Sequence, residues 1–127
     1  MNFCKDMKNI LICDDDPMTI RALEFQFKKE GFNVLKAADG KAAINILDAN
    51  EDIEIMVTDL YMPFITGLEL ITYVRKSLHR IFPIVVVSRV NVDDSIEQAM
   101  SIGANAYLTK PLNLIELSET VKNLLDV

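Results

Sequence analysis

The chain has 127 residues, 50% of them hydrophobic and 25% charged, a profile that suits one soluble domain with one core. No apolar run approaches the roughly 18 residues that a membrane helix needs, and Met1–Asp6 offers no long apolar core or small-residue cleavage site, so neither a membrane partner nor a secretory signal is expected. The formal net charge of -6 argues against direct binding of nucleic acid, whose phosphates call for a basic patch.

Taken in chain order, short apolar runs alternate with amphipathic segments. Asn9–Cys13 reads as a first strand. Pro17 suits the first turn of a helix that continues over Met18–Glu30, with Leu23 and Phe27 on one face and Lys28 and Lys29 near its negative end. Gly31 stops it, and Phe32–Lys36 is the second strand. Asp39 is positioned to cap a helix over Gly40–Ala49, with Ile44 and Leu47 inward. Ile53–Thr58 is the third strand, Tyr61–Thr66 a loop around Pro63, and Gly67–Ser77 the third helix. Pro83–Val87 is the fourth strand, with proline at its entry, where no ladder donor is lost. Val92–Ile102 follows as a helix capped by Asp93 or Asp94 and ended by Gly103. Ala106–Thr109 is the fifth strand, Pro111 breaks it, and Leu112–Leu125 is the last helix.

Five βα units with short connections predict an α/β fold with a doubly wound parallel sheet. There is no repeat, low-complexity run or linker, so residues 1–127 are expected to form a single domain without an output domain. The cysteines are Cys4, in a tail expected to fray, and Cys13, in a strand expected to be buried. A disulfide between them is not expected, and a reducing, cytoplasmic setting is.

Chemistry gathers where the apolar runs end. Asp14 and Asp15 follow the first strand, Asp59 the third, Ser88 the fourth and Lys110 the fifth. Sites in open α/β sheets form at these carboxyl ends, so carboxylates, a hydroxyl and an ammonium converge there, a set suited to a divalent cation and a phosphoryl group. Each residue also has a plainer reading. Asp59 can brace the turn before Pro63, the Asp14–Asp16 run can cap a helix, and Lys110 can be a solvated surface lysine. Asp16, next to Pro17, reads as such a cap.

The segments Ile-Leu-Ile-Cys-Asp-Asp-Asp-Pro (10–17), Thr-Asp-Leu-Tyr-Met-Pro (58–63) with Gly67, Pro-Ile-Val-Val-Val-Ser (83–88) and Gly-Ala-Asn-Ala-Tyr-Leu-Thr-Lys-Pro (103–111) are each weak alone. In this order, each at the end of the right strand, they are specific. Over about Lys8 to Leu125 the chain resembles the receiver domain of two-component response regulators, of the chemotaxis-regulator kind. The resemblance implies a flavodoxin-like (βα)5 sheet in the order 2-1-3-4-5. It implies that Asp59 accepts a phosphoryl group from a phosphohistidine as an acyl phosphate. By the same likeness Asp15 and Asp59 ligate Mg2+ (or Mn2+) directly, the backbone carbonyl of Tyr61 adds a ligand, and Asp14 acts mostly through water. Lys110 would contact a phosphoryl oxygen, with a cis bond to Pro111. Ser88 would bond the phosphoryl group, and Tyr107 would turn inward as the switch aromatic. The plainer reading of Tyr107 is a half-buried ring with its hydroxyl in water.

A family member of this kind works with a histidine kinase or a histidine phosphotransfer protein docked near the first helix. Its surface of fourth helix, fifth strand and fifth helix changes and meets an output protein, a fused effector domain or a second copy in a phosphorylation-dependent homodimer. It is a magnesium-dependent self-phosphorylating acceptor rather than a conventional enzyme.

Three positions depart from or tune that pattern. Arg89 follows Ser88 where the family prefers a small residue, and is long enough to hinder a donor, lie outward or pair with the acids. Tyr61 and Val90 bring no acid or amide to orient water, which implies a long-lived phosphorylated state. Rival readings fare worse. A phosphate-independent interaction module has only Arg89 in its favour. A flavin site or a small aspartyl phosphatase conflicts with three aspartates after the first strand and an acceptor after the third. His79 is the only histidine and reads as a surface residue, so zinc is not expected, and the methionines read as packing residues.

Overall fold

The computed structural model describes residues 7–126. Its elements are β1 (Asn9–Cys13), α1 (Pro17–Lys29), β2 (Asn33–Ala37), α2 (Gly40–Ala49), β3 (Ile55–Thr58), α3 (Gly67–Thr72), β4 (Ile84–Ser88), α4 (Asp93–Ser101), β5 (Ala106–Thr109) and α5 (Leu114–Leu125). The strands form one parallel sheet in the order β2-β1-β3-β4-β5, as the resemblance implies.

The period of two along each strand divides the core into two layers. Leu11, Cys13, Met56, Ile84 and Val86 face Leu47 of α2, Leu70 and Ile71 of α3, and Ala99 of α4. Ile10, Ile12, Ile55, Val57, Val85 and Val87 face Leu23 and Phe27 of α1 and Leu117 and Val121 of α5. Helices on both sides explain why β1, β3 and β4 are apolar except at Asn9, Thr58 and Ser88. The edge strands differ: β2 is largely half-buried or exposed, and β5 is half-buried with Thr109 in solvent.

The helix ends follow from local chemistry. Asp16 accepts from the Met18 N–H, Asp39 accepts from the Ala42 N–H, and Thr66 and Glu69 form a reciprocal capping box on α3. Gly31 takes φ +93° after α1, a conformation that a side chain would strain.

Some boundaries move. Phe32 precedes β2 and packs edge-on against Phe27 at 5.3 Å. The third helix is α-helical only to Thr72 and continues as a π-helical turn over Tyr73–Ser77. From that turn Arg75 donates to the nearby Arg80 carbonyl and, far along the chain, to the Gly103 carbonyl and Asn105, partners that a local pattern does not show. The expected Asp93 or Asp94 cap is absent. Val92 occupies the N-cap position, and both aspartates lie in the first turn of α4, where they complement its positive end. Cys13 is a buried free thiol whose pKa is raised by desolvation, while Cys4 lies outside the described residues. No helix among the described residues is long and apolar enough to cross a membrane.

Candidate functional site

The carboxyl ends of β1, β3, β4 and β5 meet at one edge of the sheet. Parallel pairing sets their heights: Cys13 is level with Thr58, Thr58 with Val86, and Ser88 with Thr109. Asp14 and Asp59 therefore leave the sheet side by side, and Lys110 emerges two residues beyond that level, after Ser88 and Thr109.

Main-chain hydrogen bonds pin these positions. Asp14 N–H donates to the Ala37 carbonyl (3.1 Å), Asp59 N–H to that of Cys13 (3.0 Å), and Lys110 N–H to that of Ser88 (2.8 Å). Gly67 brings α3 close beneath Asp59, its N–H donating to the Leu60 carbonyl at 2.7 Å. A Cβ at Gly67 would lie 2.2 Å from the Asp59 carbonyl oxygen, so only glycine permits this approach.

The side chains form a closed ionic set. The Lys110 ammonium donates to Asp14 Oδ2 (2.8 Å) and Asp59 Oδ2 (3.0 Å). Asp14 Oδ1 accepts from the Asp16 N–H (2.9 Å), and Asp59 Oδ1 from the Leu60 N–H (2.7 Å). Asp14 is buried, and Asp59 keeps 9% of its surface accessible. Burial draws the Lys110 pKa down, but the hydrogen bonds and charges of Asp14 and Asp59 outweigh it, and the ammonium is held above an ordinary lysine. Asp16 lies below the ordinary carboxylate value, first through the Met18 N–H and then through the Thr19 hydroxyl.

Asp14, Asp15 and Asp59 bring carboxylate oxygens within 4.8 Å of one another, with Asp15 reaching into solvent. An all-oxygen anionic set suits a hard divalent cation such as Mg2+ or Mn2+ rather than zinc. The adjoining cavity, ≈ 460 Å³, is lined by Asp15, Asp59, Tyr61, Ser88, Arg89 and Lys110, among others.

Ser88 is fully buried, and its Oγ accepts from the Val90 N–H at 3.1 Å. The half-buried Tyr107 does not leave its hydroxyl to water but donates it to the Val90 carbonyl. Val90 is thus held at both its N–H and its C=O. That link runs through main-chain atoms, which side-chain identity in the sequence does not reveal. Thr19 was also missed. Its hydroxyl donates to Asp16 Oδ2 at 3.0 Å, and its spacing of three residues from the cap was the available signal. Arg89 is exposed at the cavity mouth, and His79 is exposed on the connection that enters the opposite end of β4. The Lys110–Pro111 bond is cis.

With this geometry in place, comparison with known proteins is informative. The response regulator receiver domain family matches residues 10–122. The response regulator SaeR of Staphylococcus aureus is 32% identical over 119 residues, 94% of this chain and 51% of SaeR, so the chain spans about half the length of the curated relatives it matches. A two-component response regulator from Clostridium difficile superposes with a TM-score of 0.89 at 28% identity, covering 94% of this chain and 97% of that one. A CheY-like receiver domain protein from Methanospirillum hungatei gives 0.88 at 27% identity, covering 95% of each chain. The CheX-CheY-BeF3-Mg2+ complex from Borrelia burgdorferi gives 0.87 at 25% identity, covering 98% of this chain and 95% of that one. The sheet order and the length of the family match lead to one conclusion: this chain belongs to the response regulator receiver domain family of two-component systems.

Proposed function

We propose that the chain is a phosphoryl-accepting switch in which Asp59 takes the phosphoryl group from a phosphohistidine. The observation that carries this reading is the Lys110 ammonium bonded to both Asp14 and Asp59 beside the Ser88 hydroxyl, at the mouth of an open cavity. Leu60 N–H fixes the Asp59 carboxylate, so its attack on phosphorus needs little reorientation. An Asp59 oxygen bonds to phosphorus, the bond from phosphorus to the imidazole nitrogen breaks, and the electron pair stays with that nitrogen. Lys110 then follows the phosphoryl oxygens as a flexible cation.

Asp15 and Asp59 would hold Mg2+ (or Mn2+) directly, with the Tyr61 carbonyl as a further ligand and Asp14 acting through water. The bound cation supplies charge neutralisation at the phosphoryl oxygens. The beryllium fluoride and magnesium named with the Borrelia CheY support this assignment by likeness. Arg89 lines the cavity rather than filling it, which favours this reading over a phosphate-independent interaction module.

The switch runs through Val90. A Ser88 hydroxyl drawn to the phosphoryl group weakens its bond to the Val90 N–H and loosens the segment that Tyr107 also holds. The surface of α4, β5 and α5 then changes toward an output protein, a fused effector domain or a second copy. A histidine kinase or phosphotransfer protein docks near α1, in the cytoplasm. Neither the exposed Tyr61 nor the half-buried Val90 carries a side-chain acid or amide, so the acyl phosphate persists for minutes or longer; decay within seconds without a phosphatase contradicts this.

The test is intact mass after incubation with acetyl phosphate and Mg2+. One added phosphoryl group, absent with EDTA and absent in Asp59→Asn, is expected. An adduct that survives Asp59→Asn overturns the assignment.

A further inference from the structure

Arg89 is the one cation at the cavity mouth without a partner among the described residues. Lys110, the other cation lining the cavity, is already committed to Asp14 and Asp59 at 2.8 and 3.0 Å. Arg89 is exposed and forms no ion pair with any described carboxylate. It nonetheless lines two adjoining recesses. One is the ≈ 460 Å³ cavity that contains Asp59 and Ser88. The other, ≈ 300 Å³, is formed by Thr19, Arg89, Lys110, Pro111 and Leu112. Arg89 and Lys110 line both, so the second recess is a side chamber of the first, with a guanidinium, an ammonium and a hydroxyl on its walls. Asp16, which feels the Arg89 charge, is already engaged by the Met18 N–H and the Thr19 hydroxyl.

We propose that Arg89 is a specificity-determining residue that favours phosphodonors whose leaving group departs as a carboxylate, the acyl phosphates. The proposal rests on Asp59 being the acceptor. With acetyl phosphate, a carboxylate oxygen of Asp59 bonds to phosphorus, the bond from phosphorus to the acetate oxygen breaks, and the electron pair leaves on acetate. Charge balances with no proton transferred. Negative charge grows on the departing oxygen, and a guanidinium with planar donors beside the side chamber stabilises it. With phosphoramidate the same attack expels neutral ammonia, whose nitrogen is protonated before the bond breaks, so a guanidinium there gives no help.

The experiment measures labelling rates with acetyl phosphate and with phosphoramidate, both with Mg2+, for the wild type, Arg89→Gln and Arg89→Lys. Arg89→Gln keeps most of the length and removes the charge. The ratio of the acetyl phosphate rate to the phosphoramidate rate is expected to fall roughly two- to fivefold in Arg89→Gln, the upper part of the range for losing one exposed charge interaction, with partial recovery in Arg89→Lys. The wild-type ratio is expected to decline as salt is added, and the Arg89→Gln ratio to stay flatter. An unchanged ratio overturns the proposal. So does an equal rise with both donors, which would make Arg89 a steric plug. Either result, with labelling still lost in Asp59→Asn, leaves the acceptor reading standing. Labelling that survives Asp59→Asn removes both.

Discussion

Lys110 sits between two carboxylates that would otherwise repel each other, and its charge is part of what holds the strand ends together. Its pKa lies above the ordinary 10.5 in the folded chain, so folding favours the protonated form. The stability this contributes is complete below the unfolded value and is lost as pH rises through the folded one. Urea midpoints measured at rising pH are therefore expected to fall more steeply above about pH 10.5 for the wild type than for Lys110→Met. Equal slopes would show that the ammonium is not coupled to folding. The gathering of Asp14, Asp15, Asp59, Ser88 and Lys110 at one sheet edge was legible because they follow apolar runs. The link from Ser88 to Tyr107 was not, because it passes through the N–H and C=O of Val90.

The elements hold the site through close backbone approach. Gly67 begins α3 against the Asp59 carbonyl and Leu60 Cα, where an added Cβ would lie at 2.2 and 2.8 Å. Both obstacles are backbone and cannot rotate away. Gly67→Ala is expected to cost about 1–3 kcal/mol in urea unfolding, the range for overpacking a fitted contact, and to slow phosphoryl uptake by shifting Asp59. A cost below about 0.5 kcal/mol would mean that α3 relaxes freely away from β3. At this scale, periodicity and punctuation located every strand and helix. They did not show the π-helical turn after Thr72, whose Arg75 bonds residues of the loop before β5. They also overvalued Asp93 and Asp94 as caps, since an acid in the first turn and an acid at the cap look alike in sequence.

Across the whole molecule, an acidic chain of net charge -6 gathers three carboxylates within 4.8 Å, so a bound divalent cation acts on the entire fold. A ligand held only by the folded state stabilises it by mass action, about 2.7 kcal/mol at a hundred times its dissociation constant. Saturating Mg2+ is expected to raise the melting temperature of the wild type, EDTA to reverse the rise, and Asp15→Asn to abolish most of it. A full rise in Asp15→Asn would place the cation elsewhere. Alternation of strand and helix indicated a doubly wound sheet, but periodicity alone cannot order the strands. The order came from the resemblance, and the pairing of β1 with both β2 and β3 bears it out. The central claim is that Asp59 itself carries the phosphoryl group. Borohydride reduces an acyl phosphate to the alcohol, so trapping the phosphorylated chain and mapping its peptides reads the acceptor directly. Homoserine at position 59 is the predicted result; reduction at Asp14 or Asp15 instead, or at no aspartate of a chain shown by mass to be phosphorylated, would contradict the account.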